Sequence, residues 1–252
     1  MGKILYRQCA GTVKRLGLEL GGNAPFLVFE SADLDLAVAG CMASKFRNAG
    51  QTCVSTNRVL VQDSVAEPFI KKLRAAMESQ LVSGDPTQPG VTIGPLINQA
   101  QHAKVCSLVT GALEAGAYLV MGGAPGDVSP LHYQPTLLTG VTPDMEVFQE
   151  EVFGPVVTVA TFQTEQEALD IANNCRTGLA SYFYSQDISQ CWRVGQFRAR
   201  TGRNTNTESL HCREETGDRD GGHQRGHDLR SGGSFRRSQG VGLWERRLQS
   251  RD

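Results

Sequence analysis

The run Asn48-Ala49-Gly50-Gln51-Thr52-Cys53 sets a cysteine directly behind a glycine and several hydrogen-bonding side chains. A structural cysteine usually lies inside an apolar stretch, where it behaves as a small hydrophobe. A thiol at a turn or helix start is instead ionised by nearby backbone N–H groups, and its own N–H can serve an oxyanion. Taken alone, the pattern also fits an ordinary semi-buried cysteine. Three other stretches bear on the choice. In Leu18-Glu19-Leu20-Gly21-Gly22-Asn23-Ala24-Pro25, Glu19 stands at the end of an apolar run before a Gly-Gly turn. Partial desolvation there raises a carboxylate toward the general-base range; the plainer reading is a solvated loop glutamate. In Gln149-Glu150-Glu151-Val152-Phe153-Gly154-Pro155-Val156, a rigid turn leads into a strand. Glu151 beside an exposed Phe153 can hold a ribose and back a nicotinamide ring, although the pattern is also a common loop. Arg47, six residues before the thiol, offers a planar fork for bidentate capture of a carboxylate, or simply caps the last carbonyls of a helix. Cys53 and Glu19 together suit covalent catalysis, with a thiolate nucleophile and a carboxylate that activates water.

These residues need a scaffold, and the apolar pattern supplies one. Val13 to Leu20, Phe26 to Phe29, Arg58 to Val61, Tyr118 to Met121, Thr136 to Leu138 and Val156 to Phe162 read as strands. Ser31 to Phe46, Ala66 to Leu81, Asn98 to Ala115 and Glu165 to Asn173 carry helical spacing. Strand and helix in alternation imply an α/β layered domain with a mostly parallel sheet. From Gln196 the composition changes. Twelve of the nineteen arginines fall in the last 57 residues, and their apolar residues are isolated. Such a segment cannot bury enough surface to offset its ordering entropy, so disorder is expected over 196–252.

Composition narrows the function. The chain has 252 residues, 40% hydrophobic, with a net charge of -1. That allows one sizeable core and argues against bulk nucleic-acid or anionic-membrane binding. No apolar run approaches the roughly 20 residues that span a bilayer. Seven cysteines at irregular spacing, with no Cys-x-x-Cys, argue for free thiols in a reducing compartment. His223-x-x-x-His227 has half of a zinc spacing but no cysteine pair beside it, so no metal site is expected.

In order and spacing, LELGGNAP, FRNAGQTC and EEVFGPV resemble the aldehyde dehydrogenase superfamily over residues 1 to about 195. Within it Arg47 resembles the residue that binds the far carboxylate in the succinate-semialdehyde dehydrogenase branch. The resemblance implies a three-layer, Rossmann-like catalytic domain, here truncated. Residues 1–17 are then a remnant of the NAD-binding domain, 18–195 the catalytic domain, and 196–252 a non-family tail. It implies Cys53 as nucleophile, Glu19 as general base, and Gly2, Leu20, Glu151 and Phe153 as cofactor contacts. NAD or NADP would be the cofactor and succinic semialdehyde or a similar aldehyde the substrate, in a role of the GABA-degradation type. Intact relatives are homo-oligomers, tetramers or dimers, and the vertebrate type is mitochondrial, with a cytoplasmic location the alternative.

Departures from the family pattern carry expectations too. Gly2-Lys3 resembles the end of a Gly-Ser-Thr-x-x-Gly turn, so most of the cofactor domain, with the amide completing the oxyanion hole, is expected before Met1. Ser55 stands where relatives often carry a second cysteine, so no disulfide switch with Cys53 forms at that position. Residues 235–249, with codons read one base later, permit the family's closing motif, Phe-Gly-Gly-x-Lys followed by Ser-Gly-x-Gly and Glu-Gly-Ser. A shifted reading frame is therefore expected in the tail, and with it a chain that does not turn over alone.

Two rivals stand beside this reading. A cysteine hydrolase would pair Cys53 with His102 or His132, but both histidines have polar neighbours and are expected at the surface. Alternatively, the chain is a catalytically incomplete piece acting only as a partial fold or partner. An RNA-binding role for the tail is diluted by its eight acidic residues and lacks an aromatic ladder.

Overall fold

Apolar residues on both faces of consecutive strands demand cover on both sides, and the chain supplies it with helices. The computed structural model describes residues 1–200, with side chains as far as Gly195. In chain order the elements are α1 (Gly2–Ala10), β1 (Ala24–Val28), α2 (Leu34–Phe46), β2 (Thr56–Gln62), α3 (Asp63–Gln80), α4 (Gln99–Glu114), β3 (Tyr118–Met121), β4 (Thr136–Thr139), α5 (Glu146–Gln149), β5 (Val156–Phe162), α6 (Glu165–Asn173), β6 (Tyr182–Tyr184) and α7 (Ile188–Arg200).

Six strands form one sheet in the order β3-β4-β5-β2-β1-β6. Every pairing is parallel except β3 with β4, which is antiparallel. Strand side chains alternate between two cores. Phe26, Val28, Val59, Val61, Val157 and Val159 pack under α2 and α3. Leu27, Leu60, Val156, Ala160 and Phe162 pack under α4, α5 and α6. The mostly parallel, three-layer α/β architecture is therefore present. Helix starts are fixed by side-chain caps: Asp33 Oδ1 accepts from Asp35 and Leu36 N–H, Asn98 Oδ1 from Gln101 N–H, and Thr164 Oγ1 from Glu167 N–H.

One expectation needs correction. Val13–Leu20 forms no strand: Val13 is 89% exposed with φ 50°, and 14–23 has no regular structure. Lys14, Gly17 and Glu19, poor strand formers, interrupt its apolar residues, and none of 13–20 is buried. The backbone of α7 continues to Arg200. The shifted frame at 235–249 and the zinc half-pattern lie outside the described residues. Among the described residues no helix is long and apolar enough to cross a membrane.

Candidate active site

The three motif-bearing segments each lead directly into a strand: 18–23 into β1, 47–55 into β2, and 150–155 into β5. Those strands are adjacent in the order β5-β2-β1, so the sheet brings the segments together at its amino edge. Open parallel sheets ordinarily place ligands at the carboxyl edge, so this cluster lies at the opposite end.

The cysteine loop is a left-handed turn. Asn48, Ala49 and Gly50 take φ of 53°, 54° and 76° in succession. Left-handed backbone is unfavourable for alanine, so the surroundings must hold it. They do so by close approach. A Cβ on Gly50 would strike the carbonyl of Gly154, and one on Gly22 would strike the carbonyl of Cys53. A Cβ on Gly21 would strike the Glu151 carboxylate, and Gly2 lies against Leu20, 3.0 Å from a Cβ position to Cδ1. The structure thus brings Cys53, Gly22, Glu151 and the Phe153 turn together, with Gly2 touching Leu20.

Cys53 is half-buried in the turn Thr52–Ser55, where Ser55 N–H donates to Thr52 O at 3.0 Å. Its own N–H donates to no described group, which leaves it free for an oxyanion. Beside it, the Thr52 hydroxyl oxygen is buried without a partner among the described residues. Arg47 caps the end of α2 and is exposed, and its guanidinium pairs with no described residue. Glu19 is exposed as well, so the desolvation expected for it is absent.

Glu151 is better defined. Its Oε1 accepts Gly22 N–H at 3.0 Å, and Lys104 Nζ donates to its backbone carbonyl at 2.6 Å. Burial pushes the carboxyl above its ordinary range, while Gly22 N–H, Lys104 and Lys45 pull the other way. Phe153 is half-buried rather than exposed, and holds φ 54°. Gln101 Nε2 fixes this turn by donating to Val152 O at 2.9 Å and Phe153 O at 3.1 Å.

Sequence reasoning missed the polar hub beneath. Asn57 Nδ2 donates to Asn23 Oδ1 at 2.8 Å and to Glu150 O at 2.9 Å, and Asn57 Oδ1 accepts Val152 N–H at 3.0 Å. Asn23 Nδ2 in turn donates to Phe148 O and Gln149 O. Arg58, 1% exposed, donates to Asn23 O, Ile171 O and Ala172 O. One network therefore ties the start of β2 to the segments before β1 and β5. Asn57 and Arg58, directly before the apolar Val59-Leu60-Val61 of β2, were the available signal.

Lys45 was also missed. It is 1% exposed in the last turn of α2, and burial lowers its ammonium from 10.5 to about 8, while Cys41 and Glu151 work against the drop. Between those values the unfolded chain holds a proton that the folded chain has released, so stability rises with pH from about 8. Cys41 acts oppositely above 9, because burial pushes its thiol up to about 12 and the unfolded thiol ionises first. The rise is thus confined to about pH 8–9. Lys45→Met is expected to stabilise the fold by ~1–3 kcal/mol at pH 7, the scale on which buried charge is replaced by apolar packing. Urea unfolding should show that gain shrinking at pH 9; equal gains at both pH values would contradict the buried-charge account.

His102 and His132, expected at the surface, are buried instead. His102 lies on the same face of α4 as Val105 and Val109, and its Nε2 meets His132 O at 3.2 Å. The His132 ring is held by Ser129 Oγ at 2.8 Å and Gly84 O at 3.0 Å. Neither ring bonds Cys53, which removes the hydrolase pairing.

A profile of the aldehyde dehydrogenase family matches residues 1–224. The 3-sulfolactaldehyde dehydrogenase of Pseudomonas putida is 50% identical over 196 residues, 78% of this chain and 40% of that protein. The NADP(+) succinate-semialdehyde dehydrogenase of Escherichia coli (strain K12) is 48% identical over 196 residues, again 78% of this chain and 40% of that one. A solved succinate-semialdehyde dehydrogenase from Burkholderia pseudomallei superposes with a TM-score of 0.78 at 47% identity, covering 83% of this chain and 42% of its own. The chain spans about two fifths of the length of these relatives. With the sheet, the clustered motifs and the profile in agreement, the chain belongs to the aldehyde dehydrogenase family.

Proposed function

We propose that this chain carries the catalytic half of an enzyme oxidising an aldehyde with a distal anionic group, succinic semialdehyde by preference, to the acid. The observation that supports this most is the approach of Gly22 to the Cys53 carbonyl, with Glu151 bonded to Gly22 N–H. It sets nucleophile, glycine cradle and carboxylate side by side. Relatives named for succinic semialdehyde and for 3-sulfolactaldehyde share a substrate with an anion remote from the aldehyde. An exposed, unpaired Arg47 six residues from the thiol suits that anion.

The groups then divide the work. The Cys53 thiolate attacks the aldehyde carbon, and the Cys53 N–H receives the oxyanion of the thiohemiacetal. The hydride then leaves the thiohemiacetal carbon, giving the Cys53 thioester, and NAD or NADP, when bound, would supply its acceptor. The residues present would fit such a cofactor: Glu151, anchored by Gly22 N–H, can accept from ribose hydroxyls, and the half-buried Phe153 ring can back the nicotinamide. Glu19 removes a proton from the water that hydrolyses the Cys53 thioester. Localisation in mitochondria, a role in GABA breakdown and homo-oligomeric assembly remain part of this proposal.

Arg47 gives the test. Losing a charge-assisted contact costs ~1.5–3 kcal/mol, so Arg47→Ala should penalise succinic semialdehyde roughly 10- to 150-fold more than an uncharged aldehyde of similar length. Equal losses on kcat/KM for both aldehydes would reduce Arg47 to a helix-end residue.

A second reading holds that the 252-residue chain does not turn over by itself. It is favoured by α1, which buries none of its residues, and by the exposure of Glu19. Calorimetry showing no NAD binding supports it; reduction of NAD with succinic semialdehyde at an ordinary enzyme rate refutes it.

A further inference from the structure

Gln51 makes more contacts than a loop glutamine needs. Its Nε2 donates to Asn48 O within its own loop and to Pro95 O, each at 3.3 Å, and its Oε1 accepts Ile97 N–H at 2.9 Å. Two carbonyls on one side and an N–H on the other fix the orientation of the amide. The Pro95–Ile97 segment runs straight into Asn98, the cap of α4. The first turns of that helix carry Gln101 and Lys104, which hold the carbonyls of Val152, Phe153 and Glu151. The circuit closes where Gly50 lies against the Gly154 carbonyl.

We propose that Gln51 and Gln101 are positioning residues. They use the start of α4 as a strut that sets the spacing between the Cys53 loop and the Glu151–Phe153 turn. This rests on the reading that Cys53 is the nucleophile and the Glu151–Phe153 turn faces the cofactor. The physical need is clear at both ends. Asn48 and Ala49 at one end, and Phe153 at the other, sit in left-handed backbone that relaxes unless something outside the loop holds it. Each end is held by a glutamine amide from a different element, and both amides are anchored within a few residues of the same cap. A misplacement of about 1 Å between reacting groups is enough to lower a rate on the order of 10²-fold, so a rigid spacer has a function here.

The test uses the purified 252-residue chain and needs no turnover, so it stands or falls separately from the enzymatic reading. Amide hydrogen exchange is followed by mass spectrometry in Gln51→Ala. Ile97 N–H loses its direct partner and should exchange faster in any account. The strut predicts in addition that peptides over 151–154 exchange about tenfold faster, the scale of one hydrogen bond lost, while α6 is unchanged. In the reverse direction, Gln101→Ala should change the rate of Cys53 alkylation at least threefold. Gln51→Glu keeps the acceptor for Ile97 and removes both donated bonds, so it gives the same remote readout if the alanine variant does not fold. Faster exchange confined to 48–53 and 95–98, or spread uniformly through α6 as well, overturns the proposal.

Discussion

In a protein extended to the length of its relatives, Cys53→Ser is expected to lower aldehyde oxidation on the order of 10⁶-fold, the scale seen when a covalent nucleophile is removed. Serine keeps the shape of the turn and the free N–H of residue 53, but its hydroxyl has no base beside it: His102 Nε2 meets His132 O, and the His132 ring is held by Ser129 Oγ and Gly84 O. Binding should persist, because Glu151 and Phe153 are anchored by Gly22, Lys104 and Gln101 rather than by the thiol. The measurement is formation of reduced cofactor by absorbance, alongside cofactor binding by calorimetry. A loss below about tenfold would take Cys53 out of the bond-forming step.

Glu19→Gln should act later in the cycle. Thioester formation continues, whereas hydrolysis slows by 10² to 10⁴-fold, the usual range for general-base catalysis. Rapid-quench kinetics should then show a burst of reduced cofactor followed by a slow steady state, with acylated Cys53 accumulating. An unchanged steady-state rate would remove Glu19 from the mechanism. Its exposure in this structure sharpens the point, since a base needs water excluded from all but the attacking position.

How much of this was legible in the sequence follows from periodicity and reach. β5 at Val156–Phe162 and α6 at Glu165–Asn173 match the expected ranges residue for residue, because a run rich in valine and threonine and a Thr-x-x-Glu cap are local signals. The site loops were legible because their glycines and prolines stand beside residues with chemistry. What failed needed tertiary information. Val13–Leu20 has an apolar pattern, but the sheet order β3-β4-β5-β2-β1-β6 gives it no place. Three residues, Tyr182–Tyr184, become β6 because β1 offers them an edge. His102 was placed at the surface by its polar neighbours, although its spacing to Val105 and Val109 marks the buried face of α4. Lys45 shares the face of Cys41 and Met42 in the same way, and a lysine there ordinarily snorkels to water. Long-range amide contacts such as Gln51 to Pro95, 44 positions apart, leave no trace in spacing at all.

The central claim is that the left-handed turn beside Gly22 makes Cys53 the reactive thiol of this chain. Exposure alone does not select it, since among the described residues Cys9, Cys53, Cys106, Cys175 and Cys191 are all half-buried and only Cys41 is fully buried. Burial also pushes the Cys106 thiol up, which disfavours its thiolate. Limiting iodoacetamide followed by peptide mapping decides the matter. The account predicts that Cys53 takes the label first, ahead of the other half-buried thiols; first labelling at Cys106 or Cys175 would contradict it.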